Sequence, residues 1–153
     1  MLDRATQWLV ARGRTDQWGT EPHSADPRRV ARVTGYAESG GLWIAELDDR
    51  PVGALAVGAA LPYVPAATVP ELYVRLLITE RAYAGRGIGS ALLDHARALA
   101  RQQGVAVLRV DCFAGGDGAL VRYYESQGFT RTATFTVDTP RGPWPGQVLA
   151  LSP

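Results

Sequence analysis

The feature that most constrains this chain is a glycine-rich turn between an apolar, β-branched run and an amphipathic helical pattern. The run covers residues 73–79, and the helical pattern follows the turn directly. Within the turn, Gly85, Gly87 and Gly89 can adopt backbone angles closed to other residues and carry no Cβ to obstruct a ligand. Free backbone N–H groups in such a turn and in the first turn of a helix form an anion site. We therefore predict that this segment, called the phosphate loop (residues 84–90), binds a phosphate group.

Two familiar kinds of nucleotide-binding loop match this segment only in part. A nucleoside-triphosphatase loop requires a lysine after its last glycine, and the chain contains no lysine. The dinucleotide fingerprint is closer, because Gly85, Gly87 and Ser90 nearly reproduce its spacing and Asp111 ends the next apolar run. However, its third small residue is a serine, and several residues separate the apolar run from the first glycine. A dinucleotide site remains an alternative.

Length and composition predict a single globular domain over residues 1–153 that acts in the cytoplasm. A net charge of +1 gives no strong field for nucleic acid or for anionic lipid, so we expect neither partner. The only cysteine, Cys112, excludes an internal disulfide and suits a reducing compartment. His23 and His95 are isolated in the sequence, which predicts no metal site. No apolar run is long enough to cross a membrane.

Hydrophobic periodicity predicts alternating helices and strands. The order implies an α/β sandwich whose mixed sheet is mostly antiparallel with a parallel pair at its centre. Helices are predicted at residues 2–12, 90–103 and 119–127 and from Pro27, where Val30, Val33 and Ala37 would form the buried stripe. Strands are predicted at residues 42–47, 52–60, 73–79, 105–110, 129–138 and 148–151, and loops at residues 15–23, 61–70 and 140–146.

Two motifs resemble those of the GNAT superfamily of N-acetyltransferases. Residues 84–89 read Ala-Gly-Arg-Gly-Ile-Gly, close to the Arg/Gln-x-x-Gly-x-Gly/Ala of motif A, with alanine at the first position. Residues 124–129 read Tyr-Glu-Ser-Gln-Gly-Phe and are similar to the end of motif B, Tyr-Glu-x-x-Gly-Phe. One predicted helix and one predicted strand separate the motifs, as in the family. The usual first β-strand is missing, because helix-like residues start at Leu2.

The resemblance implies a bacterial-type enzyme that uses acetyl-CoA. Motif A would hold the diphosphate, and the strand before it would part from its parallel neighbour and pair with the pantetheine arm. Asp117 stands where the family commonly has an asparagine that touches this arm, although a helix cap is its other interpretation. The residues expected to contact acetyl-CoA are Leu77, Ile78, Thr79, Ala84, Gly85, Arg86, Gly87, Ile88, Gly89, Ser90 and Asp117.

The resemblance also assigns the chemistry, which is acetyl transfer to a primary amine of a small-molecule or peptide acceptor in a ternary complex. Tyr124 matches the family's general acid, although a tyrosine there could simply pack its helix onto the sheet. Glu71 is the candidate general base or a solvated carboxylate at a strand end. We expect Trp18, Tyr73 and Trp144 to line the acceptor pocket. A non-catalytic acyl-CoA sensor on the same fold is the alternative function, and a homodimer is left open.

Overall fold

The computed structural model describes all 153 residues, Met1–Pro153, and its strands form one six-stranded sheet. The helices are α1 (Leu2–Val10), α2 (Thr15–Trp18), α3 (Pro27–Glu38), α4 (Ile88–Gln102) and α5 (Ala119–Ser126). The strands are β1 (Leu42–Leu47), β2 (Arg50–Gly58), β3 (Glu71–Thr79), β4 (Val107–Phe113), β5 (Thr130–Thr139) and β6 (Gly142–Leu151). Their order across the sheet is β1-β2-β3-β4-β6-β5. None of the helices combines the length and the apolar character that crossing a membrane requires.

The topology confirms the predicted fold class. β1–β2, β4–β6 and β5–β6 are antiparallel, whereas β3 and β4 form a parallel pair. The parallel ladder joins residues 71–74 to residues 107–110, and both strands continue beyond it. α1 precedes the first strand of the sheet, as the sequence predicted.

The hairpin of β1 and β2 provides the surface on which α4 packs. Asp48 and Asp49 both have positive φ, 51° and 57°, which is the backbone that a two-residue hairpin turn requires. At Gly53, an added Cβ would lie 2.8 Å from Ile88 Cγ2 and 2.9 Å from Leu92 Cδ1. Glycine at this position therefore lets the first turn of α4 approach the strand closely.

The predicted loop at residues 140–146 is wrong, because β6 begins at Gly142. Its two prolines, Pro143 and Pro145, pair with β5, whereas the ladder between β4 and β6 ends at Gly146. A missing N–H is tolerated where no partner strand needs it, so proline can continue this strand. β4 also extends further than predicted, to Phe113, and contains Asp111.

The N-terminal region differs from the prediction in two places. Residues 15–23 are not one loop, since α2 lies within them and a short 3-10 helix starts at His23. Asp26 caps α3 by accepting from Arg28 N–H at 2.9 Å. The predicted stripe is wrong in part, because Val30 is 46% exposed and Ala37 is exposed as well. Arg29 faces inward instead and donates to the Trp18 carbonyl at 2.9 Å.

The chain divides into two compact units, and the single-domain organisation stays a prediction. The first unit contains residues 1–57 and 76–92, and the second contains residues 58–75 and 93–153. Ala5, Ala54 and Ile78 form a buried cluster in the first unit. Val64, Tyr73 and Val148 form one in the second unit.

Candidate functional site

The phosphate loop lies in the first unit and is open. Residues 84–87 are exposed, and Gly85 and Gly87 have φ of 80° and 73°, which strongly favours glycine. A Cβ built at either glycine would have no protein atom within 4 Å. The space on the Cβ side of both glycines is therefore open, and neither amide donates a backbone hydrogen bond.

The first turn of α4 supplies further unpaired donors. Its first hydrogen bond runs from Ala91 N–H to the Gly87 carbonyl at 2.9 Å, so the N–H groups of residues 88–90 have no helical partner. α4 starts at Ile88, two residues earlier than predicted, and is long enough for its dipole to favour an anion here. Two other amides of the loop are already used, because Ala84 donates to Arg81 and Arg86 donates to Tyr83. The remaining donors fit a diphosphate.

A pocket of about 310 Å³ adjoins the phosphate loop within the same unit. Arg86 at its rim lies with its guanidinium carbon 5.7 Å from the centre of the Tyr83 ring. Most of the remaining lining is apolar, so the pocket suits an apolar or planar group. The lining residues are Ala45, Glu46, Leu47, Val52, Arg86, Gly87, Ile88 and Ala91.

Two arginines stack on the indole of Trp8, and one of them, Arg81, lies just before the phosphate loop in the sequence. The guanidinium carbons of Arg12 and Arg81 lie 4.2 and 3.8 Å from the centre of the Trp8 ring. Burial and the charge of Arg12 lower the pKa of Arg81. We call Trp8, Arg12 and Arg81 the arginine–tryptophan stack. Sequence reasoning missed it, because only Trp8 and Arg12 share a helical i, i+4 spacing, whereas Arg81 follows them by about 70 residues and no sequence pattern links it to them.

A neighbouring ion pair contrasts with this stack. Arg4 Nε donates to Glu80 Oε2 at 2.8 Å, and the second oxygen, Oε1, accepts from Arg81 N–H at 3.1 Å. The hydrogen bond from Arg4 is the main cause that lowers the pKa of Glu80, and the same bond raises the pKa of Arg4. The carboxylate next to Arg81 in sequence is thus already bonded to a different guanidinium.

The three strand residues predicted to contact acetyl-CoA lie at the end of β3. Ile78 is buried beside Ala5 and Ala54, whereas Leu77 and Thr79 are half-buried. All three lie beyond residue 74, where the parallel ladder with β4 ends. Their backbone groups are therefore not used by that ladder.

Tyr124 lies on α5 in the second unit and is buried, with 6% of its surface exposed. Its ring packs against Phe129 and Tyr123, with centroid distances of 5.8 and 5.3 Å. Burial, assisted by nearby Cys112, raises the pKa of Tyr124 above its ordinary value. The phenol therefore stays protonated at neutral pH and can act as a hydrogen-bond donor.

Glu71 and Tyr73, neighbours on β3, are each bonded to a residue of β4. Glu71 Oε2 accepts from Arg109 Nη1 at 3.0 Å, and Arg109 Nη2 also donates to the Pro65 carbonyl at 2.7 Å. Tyr73 donates to Asp111 Oδ1 at 2.6 Å and is 0% exposed. Contact between Tyr73 and an acceptor would therefore require the ring to become exposed. Its predicted place in an acceptor pocket gains no support from this arrangement.

Burial also explains the chemistry of the two groups at the end of β4. It is the main cause that raises the pKa of Asp111, whose carboxyl is bonded to Tyr73. Burial likewise raises the pKa of Cys112 to about 12, so this side chain is a thiol at neutral pH. A nucleophilic role for Cys112 is therefore disfavoured.

The other predicted site residues lie in separate places. Trp144 is in β6 rather than in a loop, and its ring lies 5.6 Å from that of Phe113. Trp18 ends α2, is half-buried and packs edge-on against His23 at 4.8 Å. Asp117 Oδ1 accepts from Ala119 N–H at 3.0 Å and thereby caps α5. No group of three or more His, Cys, Asp or Glu side chains could hold a metal ion.

The sequence and the fold can now be compared with those of known proteins. The sequence profile of the Acetyltransferase (GNAT) family matches residues 3–129. The chain belongs to this family. The match confirms the predicted N-acetyltransferase class and extends further towards the N-terminus than the motifs indicated. No curated protein matches the sequence.

Solved structures of low sequence identity share the GNAT fold. The ribosomal-protein-alanine N-acetyltransferase from Brucella melitensis aligns with a TM-score of 0.66 and 21% identity, over 100% of this chain and 97% of that one. The ribosomal-protein-S18-alanine N-acetyltransferase from Escherichia coli gives 0.60 and 21%, over 78% and 75%. A GNAT family acetyltransferase from Elizabethkingia anophelis, solved with acetyl-CoA bound, gives 0.62 and 13%, over 80% and 82%.

Proposed function

We propose that this GNAT protein transfers an acetyl group from acetyl-CoA to a primary amine by direct attack in a ternary complex. The observation that carries the proposal is the set of uncovered amide donors at Gly85, Gly87 and the start of α4. Such donors suit a diphosphate, and coenzyme A contains one. Family membership supplies the reaction class.

The binding roles follow from the positions of the residues. When bound, acetyl-CoA supplies the activated thioester from which the acetyl group is transferred. The phosphate loop donates hydrogen bonds to the diphosphate. The backbone of residues 77–79, beyond the parallel ladder, pairs with the pantetheine arm. Asp117 is a weaker candidate for this arm, because its carboxylate already caps α5.

The chemistry requires two proton movements. An alkylamine must lose a proton before it attacks, since its pKa lies near 10, and the departing sulfur must gain one. Tyr124 is the proposed general acid, because it matches the family's acid in motif B, and its raised pKa keeps the phenol protonated until the sulfur departs. Glu71 is the proposed base, although accepting a proton would weaken its bond to Arg109. Both roles are hypotheses for mutagenesis to test.

The acceptor is proposed only as a class, a primary amine on a small molecule or a peptide. Trp18 and Trp144, both half-buried, are the proposed contacts. The fold is shared with enzymes named for ribosomal-protein alanine and with an IAA acetyltransferase from Bacillus cereus. The name of the last enzyme contains no protein substrate, unlike the names of the first two. Fold similarity therefore does not distinguish a small-molecule acceptor from a peptide acceptor.

The test combines binding with turnover. Acetyl-CoA should raise the melting temperature of the purified protein, and a panel of amines should include one that triggers release of free thiol. Stabilisation without thiol release from any amine would favour the acyl-CoA sensor. Stabilisation by NAD but not by coenzyme A would instead favour a dinucleotide site.

Replacing Tyr124 with phenylalanine tests the general acid. Turnover should fall by about 10²-fold, because the proton donor to sulfur is lost, while the Kd for acetyl-CoA stays the same. Tyr123→Phe is the matched control, since it removes the hydroxyl of the adjacent tyrosine. Steady-state kinetics and calorimetry give the two readouts, and full activity in Tyr124→Phe would refute the role.

A further inference from the structure

The arginine–tryptophan stack holds two positive charges close together without a carboxylate between them. Because both guanidinium carbons lie near one ring centre, they are separated by no more than about 8 Å. The neighbouring carboxylate of Glu80 is bonded to Arg4 instead. Burial and the charge of Arg12 both act to lower the pKa of Arg81. Two like charges kept together in this way favour the binding of an anion.

The stack also restricts how its arginines can move. A guanidinium that lies on an indole loses less side-chain entropy when it forms a further bond, because the ring already orients it. Two oriented guanidinium groups offer several N–H donors, which suit the oxygens of a phosphate. A pair of flexible surface arginines would not offer the same geometry.

The position of Arg81 points to a particular phosphate. Arg81 begins a 3-10 turn whose carbonyl accepts from Ala84 N–H, the first amide of the phosphate loop. Three residues of 3-10 helix rise about 6 Å, so the backbone of Arg81 lies close to the start of the phosphate loop. Coenzyme A carries a second phosphate on the 3′-oxygen of its ribose, next to the diphosphate.

We propose that Arg12 and Arg81, oriented by Trp8, bind the 3′-phosphate of coenzyme A and make the protein prefer it to 3′-dephospho-coenzyme A. The inference rests on the proposed function, because it takes the phosphate loop as the site of the diphosphate. The arginine–tryptophan stack would thus distinguish coenzyme A from its 3′-dephospho form. Neither the phosphate loop nor the dipole of α4 provides this discrimination. The uncovered loop amides would bind the diphosphate of either ligand equally well.

Calorimetry with coenzyme A and with 3′-dephospho-coenzyme A tests the proposal on the full chain. The unmodified protein should bind coenzyme A at least about tenfold more tightly, since charge-assisted hydrogen bonds are lost with the phosphate. The double variant Arg12→Gln/Arg81→Gln should lose this preference while its Kd for 3′-dephospho-coenzyme A stays the same. Arg101→Gln, a change at an exposed arginine near the end of α4, is the matched control and should keep the full preference.

A second variant separates binding from folding. Arg81→Lys keeps the charge but loses the planar group, so it should retain an intermediate preference. The melting temperature of each variant without ligand reports any loss of packing on Trp8. If the double variant is folded and still prefers coenzyme A, or if it weakens both ligands equally, the proposal is wrong. If the unmodified protein binds neither ligand, the proposed function itself fails, and the inference with it.

Discussion

Arg81 and Arg109 lie in different units of the molecule and are used in opposite ways. Arg109 is almost fully buried and donates to Glu71 at 3.0 Å and to the Pro65 carbonyl at 2.7 Å. Arg81 stacks on Trp8 beside a second arginine and lies next to uncovered amides. The charge of Arg109 is therefore satisfied within the fold, whereas no carboxylate pairs with Arg81. This difference separates residues that stabilise the fold from residues that can bind a ligand.

Replacing Arg109 should cause the largest loss of stability among the variants in this comparison. Arg109→Met leaves Glu71 as a mostly buried charge without its partner, so the free energy of unfolding should fall by about 3 kcal/mol. Urea unfolding followed by circular dichroism measures the change. The double variant Glu71→Leu/Arg109→Met should recover part of the loss, because no uncompensated carboxylate remains.

The corresponding change in the first unit should be mild. Arg81→Gln removes a stacking contact but leaves no carboxylate unpaired, so its cost should stay within about 1 kcal/mol. Equal losses for Arg109→Met and Arg81→Gln would contradict the division of roles between the two arginines.

Alanine variants of two glycines with similar backbone geometry can distinguish the effect of backbone strain from an effect on ligand binding. Gly87 in the phosphate loop and Gly104 after α4 have φ of 73° and 66°, and neither has an atom within 4 Å of an added Cβ. Gly87→Ala and Gly104→Ala should therefore each cost about 1 kcal/mol of stability. Only Gly87→Ala should weaken acetyl-CoA binding, by about tenfold or more, because the new methyl group would stand in the proposed diphosphate site. Equal Kd values for the two variants in calorimetry would argue against the loop as the diphosphate site.

The carboxyls of Glu80 and Asp111 should give stability profiles of opposite sign against pH. The pKa of Glu80 is lowered in the folded state, so its contribution is full above the unfolded pKa of about 4.3 and is lost as pH falls through the folded pKa. The pKa of Asp111 is raised by burial, so its charge opposes folding above the folded pKa. That penalty disappears as pH falls below the unfolded pKa of about 3.9.

Two isosteric variants isolate these contributions. Relative to the unmodified protein, Glu80→Gln should lose most stability at neutral pH and little in acid. Asp111→Asn should gain relative stability as pH rises, and its amide oxygen can still accept from Tyr73. Urea titrations between pH 3 and 8 measure both profiles, and slopes of the same sign for the two variants would contradict the assignment.

Local signals predicted the elements that position the phosphate loop. The hairpin, the β-branched strand and α4 each carry a periodic pattern or a turn signal within a few residues. The open amides at Gly85 and Gly87 follow from the same local chemistry. This part of the candidate site was accessible from the sequence because backbone conformation at glycine is decided largely by near neighbours.

The errors arose where a distant residue decides the structure. The sequence pattern predicts a loop at Pro143 and Pro145, yet they fit a strand because the ladder with β4 does not extend to them. Val30 was expected in the core, but Arg29 turns inward to reach the Trp18 carbonyl. The arginine–tryptophan stack likewise brings Arg81, from the 3-10 turn after β3, onto Trp8 of α1, and no sequence period connects these two residues. Its geometry could be read only from the folded chain.

The smallest expected effect belongs to an exposed ion pair that matches the Glu71–Arg109 pair in chemistry but not in burial. Arg131 contacts Glu125 through two hydrogen bonds of 2.8 and 3.0 Å, with side-chain exposures of 54% for Arg131 and 38% for Glu125. Water and salt screen such a pair, so Arg131→Gln should lower stability slightly in dilute buffer and not measurably at about 1 M salt. Urea unfolding at the two salt concentrations, with Arg109→Met run in parallel, checks this. If Arg131→Gln at high salt lost as much stability as Arg109→Met, pairing geometry rather than burial would set the cost of removing an arginine. The contrast between Arg109 and Arg81 would then need a different physical basis.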